Sequence, residues 1–399
     1  MADISADIAD ITEIVVIGAG LAAAKAVETL RDEGYAGGLT VVGREPELPY
    51  ERPQLSKEFL KGDHDFALIH DADWYAEKDV RVLTGVTATA LDLPEGAVRG
   101  SVSLDDGTSL PFDKVLLATG ATPRVPDLPG VSSAYVLRTV EDARRLKDAL
   151  TPGARIVLVG GGWIGLEVAA AARAHDAQAV VLEAREEQPL TAVLGPDLAR
   201  YLSDLHIQHG VEIRTGVTVE AIEPDGVITS DGKVAADVVV VAIGAIPETG
   251  LAEAAGLATS NGVEVDEHLR TSDPRVYAAG DVALATNTVL GPLRVEHWDN
   301  AIKQGRLAAR TMLGQDVSYD WQPYFYTDQF EFSMEYVGRG SATDAVEVRG
   351  DQGGSEFIAY WLRDGAMTAG MNVGIWDVNT KLREMIGTSP APEELTDLR

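Results

Sequence analysis

The sequence predicts an α/β protein: two successive strand–turn–helix–strand units, followed by a small C-terminal α+β segment. Three observations predict it. An apolar run, Ile14 to Ile17, ends in Gly18-Ala19-Gly20 and leads into a helical stretch and a second apolar run. The same order returns at Ile156 to Val159, which ends in Gly160-Gly161-Gly162-Trp163-Ile164-Gly165. From Trp321 onward, short aromatic and β-branched runs take over.

In the first unit the helix is expected over Ala22 to Leu30 and the second strand over Leu39 to Val42. In the second unit the helix runs to about His175 and the strand over Ala179 to Leu182. The glycines between strand and helix have separate tasks. The first permits a tight turn, the second lets backbone N–H groups approach a pyrophosphate, and the third allows close helix–strand packing. The helix N-terminus then offers unpaired N–H donors and partial positive charge to phosphate. Gly18, Gly20 and Ala23 fill these places in the first unit; Gly160, Gly162 and Gly165 fill them in the second. The fold class that follows is α/β, with two Rossmann-like dinucleotide-binding domains and a small C-terminal α+β domain.

An acidic residue closing the second strand, roughly 20 residues on, hydrogen-bonds a ribose 2′-hydroxyl. In the second unit this is Glu183, whose charge repels a 2′-phosphate and so points to NADH, with Arg185 as a counter-signal. In the first unit Glu45 is the candidate for the adenosine ribose.

Composition narrows the chemistry. None of the 399 residues is cysteine, which excludes disulfides, thiolate metal sites, protein-ligated iron–sulfur clusters and redox-active thiol pairs. The seven histidines show no ligand spacing, so no metal is expected. With 63 acidic against 33 basic residues the net charge is −30, a surface that repels nucleic acid and anionic lipid. No apolar run reaches the length of about 18 residues that spans a membrane. The acidic start, MADISADIADITE, lacks the pattern of a signal peptide, so a cytoplasmic location is expected.

Six blocks in order, VVIGAGLAA, PYERPQLSK, KVLLATGATPR, VLVGGGWIGLEVA, RVYAAGDVA and VEHWDNAIKQG, resemble the FAD-dependent NADH–ferredoxin reductases, with putidaredoxin and rubredoxin reductases as close kin. The resemblance covers nearly the whole chain. It implies FAD and NADH as cofactors and a discontinuous layout. The FAD domain takes 1–120 and 245–320, the NAD domain 121–244, and the C-terminal domain 321–399. The strands Val115 to Ala118 and Val238 to Ile243 deliver the two crossings, and Pro123 to Pro129 is a linker.

By the same resemblance Arg52, Ala118, Thr119 and Gly120 contact FAD in the first part of its domain. Gly280 and Asp281 do so after the chain returns, Asp281 taking a ribityl hydroxyl. Around the nicotinamide dinucleotide fall Arg124, Trp163, Ile164 and Gly244; Trp163 either shields the nicotinamide face of the flavin before NADH arrives or packs as a buried side chain. Lys57 and Glu167 match a family ion pair beside the flavin nitrogen that accepts hydride. Glu167 also stands in an otherwise apolar stretch, where a charge ordinarily has a partner. Gln54 departs from the two prolines commoner in this loop.

Val295 onward reads as the start of a helix ending near Met312, whose N-terminus would favour negative charge on the flavin. Glu296, His297 and Trp298 sit there, with Trp298 packing against the ring system. From Trp321, strands are expected over Pro323 to Phe330, Glu331 to Val337, Ala345 to Val348, Glu356 to Leu362 and Gly365 to Val373. A helix from Val378 to Ile386 follows, and Asp328-Gln329 matches a family pair.

The expected partner is a 2Fe–2S ferredoxin serving a bacterial monooxygenase or dioxygenase, with the reductase a monomer or homodimer. Lys303, Arg306 and Arg310 share one helix face and form the candidate docking surface on an otherwise acidic protein. Rubredoxin reduction, and an NADH-responsive interaction protein resembling apoptosis-inducing factor, are the alternatives.

Overall fold

The computed structural model describes residues 11–62, 64–391 and 395. The first ten residues, most of the acidic start, lie outside the described residues. The chain divides into two compact units, each assembled from three separate stretches.

The first unit comprises Met1–Arg52, Phe66–Thr122 and Ile246–Trp321. Its centre is a five-stranded sheet in the spatial order Val276–Ala278, Lys114–Leu117, Glu13–Ile17, Gly38–Gly43 and Arg81–Thr84, parallel throughout. The three central strands are nearly continuous in apolar residues, as burial on both faces requires. Helix Leu21–Asp32 buries its Ala22, Ala23, Ala26, Val27 and Leu30 face. Helix Trp298–Met312 packs on it so closely that a Cβ at Gly305 would lie 2.3 Å from the Ala22 carbonyl oxygen. An antiparallel sheet of Ala88–Asp92, Gly100–Leu104 and Ser109–Phe112 and a four-stranded sheet starting at Thr259–Ser260 complete the unit.

The second unit comprises Pro53–Asp65, Pro123–Ala245 and Gln322–Arg399. It repeats the motif with a parallel sheet ordered Val211–Thr215, Gln178–Glu183, Arg155–Val159 and Val238–Val241, and helix Trp163–Ala174. The expected strand to Ile243 stops at Val241, although the Ala242 N–H still bonds to the Val159 carbonyl at 2.8 Å. The C-terminal residues form an antiparallel sheet ordered Tyr324–Gln329, Phe332–Gly338, Ala366–Val373, Glu356–Arg363 and Ala345–Asp351, followed by helix Asn379–Met385. This sheet shares a core with the parallel-sheet part: Phe332, Met334 and Trp361 pack in one buried cluster with Leu166, Val168 and Leu198. No helix among the described residues is long and apolar enough to cross a membrane.

Candidate functional site: two dinucleotide cradles and a buried ion pair

Each motif folds around glycines that no other residue replaces. Gly18 has φ +109°, and a Cβ on it would meet the Ala118 carbonyl oxygen at 2.1 Å. Gly160 has φ +110°, and its Cβ would meet the Ala242 oxygen at 2.5 Å. The turn therefore lies directly against the end of the neighbouring strand, which aims the following helix N-terminus outward from the sheet. The second glycines differ. A Cβ on Gly20 would find nothing within 4 Å, and on Gly162 only the Ala242 oxygen at 3.9 Å. The protein leaves that space clear, and a side chain would fill it. Neither helix has a side-chain cap on its first N–H groups. Open space before uncapped N–H donors fits a pyrophosphate in both cradles. At the third place Gly165 has its would-be Cβ 2.2 Å from the Gly160 oxygen, whereas Ala23 carries a real, fully buried Cβ in the first motif.

Glu183 is the last residue of strand Gln178–Glu183, and Glu45 lies two residues beyond strand Gly38–Gly43. Glu183 closes its strand and accepts from the Gly161 N–H at 3.1 Å and the Arg185 N–H at 2.8 Å, which ties it to the glycine turn. Glu45 accepts from Arg52 Nη2 at 2.7 Å and the Tyr50 hydroxyl at 2.6 Å, while Arg52 Nη1 donates to that hydroxyl at 2.8 Å. Each carboxylate oxygen keeps a lone pair for a further donor.

At the ends of the first unit's strands, Thr119 Oγ1 donates to the Glu248 carbonyl at 2.8 Å beside Ala118 and Gly120. Gly280 follows strand Val276–Ala278 and is held by Gln304, 1% exposed, whose Oε1 accepts the Gly280 N–H at 2.8 Å. The Asp281 carbonyl accepts from Arg294 at 3.1 Å, and Arg294 also pairs with Glu296. His297 is the N-cap residue of helix Trp298–Met312. The Trp298 indole N–H donates to Glu51 at 2.6 Å, so its polar edge is satisfied while its ring is half-buried. In the second unit Trp163 starts its helix and packs against Phe325 with centroids 5.1 Å apart; Ile164 beside it is 43% exposed. The Arg124 N–H donates to the Gly244 carbonyl at 2.8 Å.

The second unit also holds a buried ion pair. Lys57, 5% exposed, follows the 3₁₀ turn Arg52–Ser56 that contains Gln54; Glu167, 3% exposed, projects from helix Trp163–Ala174. Lys57 Nζ lies 2.7 Å from Glu167 Oε1. Glu167 Oε1 also accepts from the Thr327 hydroxyl at 2.6 Å, and Oε2 accepts from the Ser56 hydroxyl. The carboxylate thus has one full opposite charge and two hydroxyl donors, the satisfaction that a buried charge requires. Lys57 Nζ also stands 5.4 Å from the centre of the Tyr326 ring.

Sequence reasoning missed Ser56, Thr327, Gln304 and Glu51. Three stood inside or beside quoted blocks, since Ser56 precedes Lys57, Glu51 precedes Arg52 and Gln304 belongs to the Trp298 block. Thr327 immediately precedes the Asp-Gln pair. Among the described residues no cluster of three or more His, Asp or Glu side chains is arranged to hold a metal ion.

Comparison with known proteins agrees with this architecture. Residues 12–305 match the family model of pyridine nucleotide-disulphide oxidoreductases, and 324–399 match that of the reductase C-terminal domain. The ferredoxin–NAD(+) reductase component of the anthranilate 1,2-dioxygenase system of Burkholderia cepacia is 37% identical over 397 residues, 96% of this chain and 96% of that protein. The corresponding component of the p-cumate 2,3-dioxygenase system of Pseudomonas putida is 37% identical over 359 residues, 88% of this chain and 87% of that one. The crystal structure of the covalent putidaredoxin reductase–putidaredoxin complex superposes with a TM-score of 0.89 at 32% identity, covering 95% of this chain and 93% of that one. Two cradles cleared for pyrophosphates, a strand-end carboxylate in the second and full-length likeness converge: the chain belongs to the pyridine nucleotide-disulphide oxidoreductase family, among its FAD-dependent ferredoxin–NAD(+) reductases, and is an NADH-dependent flavoprotein oxidoreductase using FAD and NAD(H).

Proposed function

We propose that the chain passes electrons from NADH through FAD to a separate 2Fe–2S ferredoxin that serves a bacterial monooxygenase or dioxygenase. The observation that carries this is the full-length likeness to reductase components of dioxygenase systems in a chain with no cysteine. Without a thiol pair the protein has no internal acceptor of its own, so the electrons leave to another molecule. The work takes place in the cytoplasm.

FAD occupies the first cradle, with Gly18, Gly20 and Ala23 at its pyrophosphate, and Glu45 and Arg52 toward the ribose. Thr119, Gly120, Gly280 and Asp281 lie along its length, and the helix start at Glu296, His297 and Trp298 serves the ring. In domain terms this is 1–120 with 245–320. NADH occupies 121–244, with Gly160, Gly162 and Gly165 at its pyrophosphate and Glu183 selecting against a 2′-phosphate. Trp163, Ile164, Arg124 and Gly244 flank that site, and 321–399 contributes Thr327. Bound in the first cradle, FAD would supply the redox chemistry that links a two-electron donor to a one-electron acceptor. Lys57 brings a positive charge, held by Glu167 away from water, to offset the negative charge that hydride transfer creates.

Docking falls on the exposed side of helix Trp298–Met312. Lys303 pairs with Asp299 at 2.7 Å, Arg306 with Glu28 at 3.9 Å and Arg310 with Glu33 at 2.9 Å. Exposed pairs of this kind are worth about 0–1 kcal/mol, so an acidic partner exchanges for these carboxylates at little cost.

Anaerobic rapid mixing tests the proposal. NADH is expected to bleach the flavin, and a 2Fe–2S ferredoxin is expected to restore its absorbance while the cluster is reduced. Arg306→Glu with Arg310→Glu should slow only the second phase, most strongly at low salt. A reduced flavin that ferredoxin leaves unoxidised refutes the assignment of the acceptor.

A further inference from the structure

The ion pair is the inner end of a longer buried chain. Thr327, 1% exposed, donates to Glu167 at 2.6 Å and accepts from Gln329 Nε2 at 3.0 Å. Gln329, fully buried, then presents Oε1 to His206 Nε2 at 2.8 Å. His206 is fully buried on helix Pro196–Gln208, with the Phe330 ring edge-on at 5.1 Å. Lys57, Glu167, Thr327, Gln329 and His206 therefore form one hydrogen-bonded line inside the second unit.

Elementary donor and acceptor counting gives this line a single direction. An ionised carboxylate only accepts, so the Thr327 O–H must donate to it. The Thr327 oxygen then accepts from an amide N–H, which turns the Gln329 carbonyl toward His206. That carbonyl needs a donor, so His206 carries its proton on Nε2. His206 Nδ1, buried and without a partner among the described residues, is left as a bare lone pair. A protonated Nδ1 would have no acceptor, and burial accordingly pushes the imidazole down to about 4.

We infer that His206, Gln329 and Thr327 are positioning residues that lock the Glu167 carboxylate in the rotamer that holds Lys57. None of the three carries charge in the neutral range, so the line adds orientation to the pair without competing for the lysine. A carboxylate with only Ser56 and Lys57 as donors turns about its last torsion, which is broad and weakly restrained. The inference rests on the reading of Lys57 as a residue that aids hydride transfer, and its test separates the two.

One readout is independent of turnover. Nitrogen-15 spectra of histidine-labelled holoprotein, with His206→Gln to identify the resonance, should show a single neutral Nε2–H tautomer for His206. In Thr327→Val the amide loses its fixed direction, and a mixture of tautomers is expected. The second readout is the rate of flavin reduction by NADH in rapid mixing. Thr327→Val should slow it about tenfold, the worth of a hydrogen bond to a charged group. Thr327→Ser should restore it to within about twofold, because the hydroxyl returns. In a Lys57→Met background Thr327→Val should have no further effect. An Nδ1–H tautomer in the wild type overturns the chain outright. So does a wild-type rate in Thr327→Val when Lys57→Met is slowed. A wild-type rate in Lys57→Met instead overturns the role of the ion pair, and with it the positioning role, whatever the tautomer.

Discussion

Replacing Lys57 by methionine leaves a carboxylate inside the second unit without its counter-charge. The side chains are 7% and 3% exposed at a separation of 2.7 Å, so water does not take the lysine's place freely. Removing one partner of a buried pair costs about 3–5 kcal/mol. Ser56 and Thr327 still donate to Glu167, which puts the expected loss at the lower end, about 3 kcal/mol. Adding Glu167→Gln removes the orphaned charge while keeping the shape: Thr327 still donates to the amide oxygen, and the Ser56 hydroxyl turns to accept from the amide nitrogen. The double variant should regain about 2 kcal/mol relative to Lys57→Met, so the two substitutions combine to much less than the sum of their separate losses. The assay is equilibrium urea unfolding of the four proteins of the cycle at one fixed excess of FAD, so that cofactor linkage is common to all. A loss under about 1 kcal/mol in Lys57→Met, or strict additivity in the cycle, refutes the claim that the pair is buried and mutually dependent.

Other consequences are open to direct measurement. Glu183→Ala should weaken NADH about tenfold and narrow its advantage over NADPH, since the carboxylate both tethers the Gly161 turn and repels a 2′-phosphate. Steady-state KM values for the two nucleotides check this, and an unchanged ratio contradicts it. In Gly162→Val the new Cβ lies at ordinary contact distance, 3.9 Å, from the Ala242 oxygen while the side chain fills the second cradle, so the variant should keep its flavin yet fail to be reduced by NADH; normal bleaching would count against the placement. His206 is held at about 4 by burial, with Gln329 opposing and the neighbouring His209 assisting, against 6.5 for the free ring. His209 itself pairs with Glu331 at 3.1 Å. Between those values the unfolded chain binds the extra proton, so the stability His206 contributes is complete above about pH 6.5 and falls as pH drops toward 4. The loss should reach about 2 kcal/mol by pH 5, and His206→Gln should lack it. Urea midpoints at pH 7.5 and 5 decide this, and identical pH dependence in the variant would refute it.

The sequence announced what depends on local geometry. Gly18 and Gly160 stand where a positive φ and a strand-end carbonyl leave no room for a side chain, so two copies of the glycine pattern, each between a strand and a helix, marked both turns. Helix Trp298–Met312 ends where its pattern indicated and begins three residues after Val295. Glu167 was conspicuous because a charge in an apolar helix needs a partner, and the family resemblance named Lys57. What stayed hidden depends on contacts between distant segments. Ser56 and Thr327 reach Glu167 across 111 and 160 residues, and His206 reaches Gln329 across 123, distances over which no periodicity carries a signal. Of the carboxylates facing Lys303, Arg306 and Arg310, Glu28 and Glu33 were hidden for the same reason, coming from the other end of the first unit's sequence; Asp299 stands one turn from Lys303 on the same helix. The joining of 321–399 with the parallel-sheet part rests on a shared core that short apolar runs cannot reveal.

The central claim is that electrons leave this protein to a one-electron protein carrier. Cytochrome c reduction by NADH, measured with and without an added 2Fe–2S ferredoxin, tests it most directly. The account predicts slow reduction by the flavoprotein alone, a rate that rises and saturates with ferredoxin concentration, and a clear preference for NADH over NADPH. A rate that is already maximal without ferredoxin, and indifferent to its addition, would contradict it.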